Sequence, residues 1–193
     1  MNILHIDSSI QGEASASRVL TREIVAQLQA GQPGVAVTYR DLAARELPHL
    51  ARAVFAPADA TEAARNAAAL DEFLAADVIV LGAPIYNFTI PSQLKAWIDR
   101  IAVAGKTFRY TEAGPVGLVH GKKVIVALAR GGVHAGGAAQ EFGESYLKFL
   151  FGFLGIGDVD FVRAQGLSVS PQQRTTAMDA ALAAIRTPVQ RAA

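Results

Sequence analysis

Three short stretches hold the residues that could do chemistry. The first, DSSIQGEASAS (7–17), sets Ser8, Ser9, Ser15 and Ser17 in a loop that runs into a helical segment. Unpaired N–H groups and the dipole at a helix start attract a phosphate, and small hydroxyls approach its oxygens closely. The stretch lacks both the Lys of a Walker loop and the GxGxxG spacing of a pyrophosphate turn, so what remains suits a monophosphate. The second, GAPIYNFTIP (82–91), follows an apolar run at once and places Tyr86, Asn87 and Phe88 between two prolines. In the third, ARGGVHAGG (129–137), paired glycines let the backbone approach a flat ligand and aim N–H groups at developing negative charge. His134 is the one group of intermediate pKa in these loops. No carboxylate pair or Cys/His arrangement stands in any of them, so acid–base or thiol catalysis has no candidate there. Each stretch also has a plainer use, as helix caps and turns, as core-packing aromatics, or as a Gly-rich connection.

Composition narrows the classes. The chain has 193 residues, 51% hydrophobic and 18% charged, which excludes a disordered chain and suggests one domain spanning 1–193. Lys+Arg 18 against Asp+Glu 17 leaves +1, without the basic footprint of a nucleic-acid binder. With no Cys, disulfides, zinc-thiolate sites and thiolate nucleophiles are excluded. MNILHIDSS starts a strand at once, without the basic and long apolar regions of a secretory signal, and no apolar run approaches the ~20 residues needed to span a bilayer. A soluble cytoplasmic protein without a membrane partner is expected.

The elements that must position these loops alternate. Strands are predicted over 2–7, 35–42, 77–83, 122–130 and 159–167. Helices are predicted over 17–30 with Ser17 as N-cap, 59–76 with Asp59 or Thr61 as cap, 92–105, 138–155 and 171–186. Leu94, Trp97, Ile98 and Ile101 share one face of the third. Residues 106–121 read as a hairpin-like excursion with a Gly-Pro turn. DVIVLGA is apolar on both faces, as a central strand of a parallel sheet must be. Five βα units predict a doubly wound α/β sheet with helices on both faces, either flavodoxin-like (order 2-1-3-4-5) or half of a dinucleotide fold. In the flavodoxin-like order the three loops meet at one crevice. The segment YLKFLFGFLG (146–155) is apolar around nearly its whole circumference, so its second face must pack under the excursion or against another chain.

SSxxxxxSxS, GAPIYNFTIPSQLKAWIDRI and RGGxH, in this order, resemble the FMN-dependent NADH-azoreductases, also quinone reductases, of the flavodoxin-like superfamily. The likeness continues through AGKTFRYTEAGPVGL, GKKVIVALARGG and YLKFLFGFLGIGDVDFV. It implies one FMN per subunit, reduced by NADH or NADPH in a ping-pong cycle that passes two electrons to a quinone or azo compound, and it calls for no metal. Ser9, Ser15, Ala16 and Ser17 would hold the phosphate. Pro84, Ile85, Tyr86, Asn87 and Phe88 would border the isoalloxazine, with Ala129, Arg130, Gly131 and Gly132 lining its other side. Relatives commonly carry Met at the position of Ile85 and Ser at that of Ala129, where this chain has lost a hydroxyl that could bond the flavin. The resemblance further implies a homodimer with shared sites, Tyr110 and Phe153 at the mouth, Phe153 coming from the neighbouring subunit, and His134 against the acceptor. Two other readings remain: an electron carrier or FMN-binding protein without its own acceptor, and a flavin-free relative binding another phosphate ligand. Asp7 ends a strand like a receiver-domain phosphorylation site, but AQGLSVSP supplies neither the acidic cluster nor the Lys a receiver needs.

Overall fold

The apolar runs NILHID, VIVLGAP and KVIVALA become neighbouring parallel strands, as segments apolar on both faces must when helices cover each side. The structure, a computed structural model, describes residues 1–51, 60–133 and 142–186, apart from the side chains of residues 61 and 62. Strands β1 (Asn2–Asp7), β2 (Ala36–Asp41), β3 (Val78–Pro84), β6 (Lys123–Ala129) and β7 (Asp158–Ala164) form one parallel sheet in the order β2-β1-β3-β6-β7. That is the flavodoxin-like order 2-1-3-4-5, and the dinucleotide alternative is set aside. Strands β4 (Phe108–Thr111) and β5 (Gly114–Gly117) make a separate antiparallel hairpin. The helices are α1 (Ala16–Gly31), α2 (Ala60–Ala75), α3 (Ser92–Ile101), α4 (Gly143–Leu154) and α5 (Pro171–Arg186).

Alternation along the strands divides the core between the two faces. Ile3, Val80 and Ala127 pack with Leu20 and Ile24 of α1 and Ala181 of α5. Leu4, Ile6, Ile79, Leu81, Val124 and Val126 face the other way, onto Phe73 of α2, the Leu94–Ile101 stripe of α3, and α4. Trp97 and Phe73 are fully buried and meet edge to face at 5.9 Å, an arrangement that adds about 0.5–1.5 kcal/mol beyond area burial.

Several boundaries depart from the sequence expectation. Helix α1 is capped by Ser15, whose hydroxyl accepts the Arg18 N–H, while Ser17 lies inside the first turn. Thr61 is likewise inside α2, and Asp59 lies outside the described residues. Helix α3 stops at Ile101 because Thr107 folds back, its hydroxyl donating to the Ile101 carbonyl at 2.6 Å and accepting the Val103 N–H. The hairpin turns at Glu112–Ala113, and Gly114–Pro115 are strand residues of β5. Proline is tolerated on so short an exposed ribbon. Gly117 lets the hairpin lie against the end of α4, since a Cβ there would stand 2.2 Å from the Gly155 nitrogen. Helix α4 begins at Gly143, after Phe142, and residues 138–141 lie outside the described set. Its buried stripe is Leu147, Leu150, Phe151 and Leu154. The hairpin covers part of the remaining apolar face, for Phe108 meets the half-buried Phe153 at 4.7 Å, whereas Phe149 stays 73% exposed.

Candidate functional site

The C-terminal ends of β1, β3 and β6 open on a cleft at the reversal point of the strand order, where open α/β sheets place ligands. It gathers Ser15, Ala16 and Ser17 from the start of α1, Pro84, Ile85 and Tyr86 after β3, and Ala129, Arg130 and Gly131 after β6. Four expected residues do not line it. Ser9 lies behind the wall, its hydroxyl 3.1 Å from the Tyr86 hydroxyl. Asn87 and Phe88 form the tip of the second loop, and Gly132 follows the lining residues. Tyr110 and Phe153 belong to an aromatic row at the hairpin and α4: Tyr110, Phe108, Phe153 and Phe149 follow one another at 5.5, 4.7 and 6.5 Å. His134 lies outside the described residues.

The Pro-flanked loop has a definite geometry. Tyr86 and Thr89 exchange both backbone hydrogen bonds, at 2.9 and 3.1 Å, and enclose Asn87 and Phe88 at φ 48° and 72°. Two positive φ values in a two-residue turn mark the primed type of tight hairpin turn. Asn accepts this conformation, whereas a bulky Phe is held in it against its preference. The amides of Asn87 and Phe88 are left with no partner among the described residues. An N–H pair held by strain at the rim of a cleft is a device for binding an acceptor-rich edge.

The last strand's loop, which sequence reasoning passed over, completes the site. Gly166, Leu167 and Ser168 donate backbone N–H groups to the carbonyls of Gly132, Arg130 and Gly131 at 2.9, 3.2 and 3.0 Å. A Cβ on Gly131 would stand 2.6 Å from the Ser168 hydroxyl, so a side chain here would force Ser168 to shift. The amides of Gly131 and Gly132 stay unpartnered among the described residues. Leu167, Ser168 and Arg174 therefore line the cleft too, with Gln11. Only register across the sheet brings them there; their spacing in the sequence carries no signal.

Beneath the serine loop lies a buried ionic cluster. The Arg18 guanidinium grips Asp41 with two bonds of 2.6 and 2.8 Å, donates to the Ser9 carbonyl at 2.9 Å and reaches the Tyr39 hydroxyl at 3.1 Å. Tyr39 and Thr21 donate in turn to Asp7 at 3.0 and 2.9 Å, and the His5 Nε2 stands 3.6 Å away, too far for a hydrogen bond. The Arg18 bonds, helped by the Ala44 and Ala43 N–H groups, hold the Asp41 carboxyl below its usual range. Burial pushes Asp7 upward, but the His5 imidazole and the bonds from Thr21 and Tyr39 outweigh it and hold the group low. Enclosure of the Tyr39 hydroxyl, and next the neighbouring Asp7 carboxylate, push that phenol up to about 12. Asp7 is thus a buried structural anion, and Gly82 leaves room for it, since a Cβ there would stand 2.8 Å from its Oδ1. Arg18, Tyr39 and Asp41 are residues that sequence reasoning missed, because their meeting depends on the β1–β2 register.

The donor set fits a flat ligand ending in one phosphate: a capped helix start, four unpartnered loop amides, and two arginines with no carboxylate in the lining. A family model described by its flavodoxin-like fold matches residues 1–189, and the chain belongs to that family. It groups there with the FMN-dependent NADH:quinone oxidoreductases, of which the Ralstonia nicotianae protein is 55% identical, with 100% of this chain and 99% of that protein covered. The Sinorhizobium fredii enzyme of the same name is 58% identical over 92% of both chains. Among solved structures, the azoreductase of Bacillus anthracis superposes with a TM-score of 0.84 at 30% identity, covering 96% of each chain. An FMN-dependent NADH-azoreductase from the same species, solved in complex with FMN, gives 0.83 at 28% identity over 96% of this chain and 98% of that one.

Proposed function

We propose that this chain is an FMN-dependent oxidoreductase, one domain over residues 1–193, that transfers two electrons from NADH or NADPH to quinones and aromatic azo compounds in a ping-pong cycle. The observation that carries the reading is the strained Asn87–Phe88 turn at the cleft of a chain 55–58% identical to FMN-dependent NADH:quinone oxidoreductases. Bound FMN would supply the hydride chemistry; the protein supplies position and electrostatics. Ser15, Ala16 and Ser17 present hydroxyls and helix-start amides to the phosphate. Ser9 acts through Tyr86, which it fixes by their hydroxyl contact. The amides of Asn87 and Phe88 meet the polar edge of the ring, Pro84 and Ile85 pack beneath it, and Ala129 and Arg130 bound the opposite side. The Gly131 and Gly132 amides stabilise negative charge gathering on the ring. A cytoplasmic location, where NADH is supplied, belongs to the same reading.

The purified protein should be yellow, release FMN and not FAD on heating, and bleach within the dead time of mixing when NADH alone is added without oxygen. An electron carrier would stay yellow until a reductase is supplied. A colourless protein that fails to take up FMN overturns the reading.

The exposed aromatic row supports a homodimer with shared sites. Tyr110 is 75% exposed and Phe149 73%, more apolar surface than a solvated hairpin needs. In this assembly Phe153 and Tyr110 of one subunit roof the flavin of the other and sort flat acceptors by stacking, with His134 against the acceptor. Phe153→Ala should leave FMN bound but change the ratio of quinone to azo-dye rates. A stable, fully active monomer in sedimentation would refute the shared site.

A further inference from the structure

We propose that Arg174 is the cation that meets the phosphate of the bound flavin. The inference rests on the reading of the cleft as an FMN site and adds a residue that no motif in the sequence marks. Arg174 lies in the first turn of α5, which Ser170 caps by accepting the Gln173 N–H at 3.1 Å. Its side chain crosses to the far loop, and Nη2 donates to the Ala14 carbonyl at 3.1 Å. Ala14 directly precedes Ser15, the cap of α1, so the guanidinium sits beside the helix-start amides and lines the same cleft. Among the described residues its other donors make no hydrogen bond and it has no carboxylate partner.

The neighbouring arginines are engaged elsewhere. Arg18 is held between Asp41 and Asp7, an ionic cluster with no positive charge left over. Arg22 pairs with Glu13. Arg130 lends its charge to Glu144, which Arg163 chiefly holds ionised. A phosphate at the start of α1 therefore finds dipoles and hydroxyls from the serine loop and an uncompensated guanidinium from Arg174. Arginine's planar fork suits phosphate oxygens, and one Nη already hydrogen-bonded to Ala14 keeps the group from swinging away.

The test is titration of apoprotein with FMN and with riboflavin, which lacks the phosphate, in the wild type, R174Q and R174K. Glutamine keeps a polar N–H on a shorter stem and removes the charge, and the riboflavin arm reports any loss that comes from packing alone. The Kd for FMN should rise about 10-fold or more in R174Q, the size of one charge-assisted hydrogen bond, while that for riboflavin stays unchanged. R174K should fall between, and added salt should weaken FMN binding more in the wild type than in R174Q. Equal shifts for both flavins, or none for either, would overturn the proposal. So would a raised KM for NADH with the FMN Kd unmoved, which would put Arg174 on the nucleotide instead. Wild-type protein that binds neither flavin would show that the cleft reading itself is at fault and remove the proposal with it.

Discussion

Asn87→Pro should leave the protein folded and colourless. Proline fixes φ near −65° and has no N–H, while residue 87 sits at φ 48° with its amide held for a ligand. The substitution removes a donor and forces the turn between Tyr86 and Thr89 to open, so FMN affinity should fall at least about 100-fold, equivalent to about 3 kcal/mol. Two companion variants separate backbone from side chain. Asn87→Gly keeps both the positive φ and the N–H and should hold flavin nearly as well as the wild type. Asn87→Ala keeps the N–H but meets the left-handed penalty of about 1 kcal/mol, so its affinity should drop modestly. Flavin-to-protein absorbance ratios of the purified variants decide the matter. A fully yellow Asn87→Pro protein would mean that the ring does not rest on this turn.

Arg18→Met should cost the most stability of any single change in the serine-loop region. The guanidinium is buried and is the counter-ion of both Asp41 and Asp7. Removing one partner of a buried pair typically destabilises by about 3–5 kcal/mol, because the remaining charge is left uncompensated. The effect carries a pH signature whose sign follows from the carboxylates. Asp7 and Asp41 titrate below their ordinary range in the folded protein. The stability they contribute is therefore complete above the unfolded carboxylate pKa, about 4, and is lost as pH falls through the lower folded values. In the variant the Asp41 carboxylate loses the guanidinium that chiefly holds it low, so its folded pKa rises and acidification relieves it. Urea unfolding should show a wild-type advantage that is full at pH 7 and shrinks as pH approaches 4. Adding Asp41→Asn to the Met variant should restore part of the loss. An advantage independent of pH would assign Arg18 a packing role alone.

The parallel sheet was legible because β3 and β6 are nearly continuous apolar runs that suit only a sheet covered on both faces, whereas those runs left two strand orders open. The three loops after β1, β3 and β6 were legible for a related reason: their serines, prolines and glycines are types whose backbone behaviour is nearly independent of what surrounds them. Boundaries were less so. Ser15 and Ser17 have equal capping propensity, and only the preceding one-turn helix at Gly12–Ala14 decides that Ser15 is the cap. Likewise Gly114 invited a turn that Glu112 and Ala113 make instead, since strand pairing from Phe108 to Thr111 sets where the ribbon must reverse. Contacts made across the sheet left no trace in local spacing. Arg18 with Asp41, Ser168 with Gly131 and Arg174 with Ala14 are products of register, and no window of the sequence contains both members of any of these pairs.

The loop after β7 supplies one wall of the cleft and hydrogen-bonds the residues of another, and α5 behind it ties back to Ala14 across 160 positions. During synthesis the serine loop and the Asn87 turn leave the ribosome long before residues 166–174 exist to brace Gly131 and Gly132. Contacts of such long sequence separation form late in folding. The cleft is therefore closed by segments made well after the loops they brace, and its ligand is retained only once residues 166–174 are in place. A nascent or C-terminally shortened chain would have the strands and the turn, yet no enclosed place to retain what they recognise.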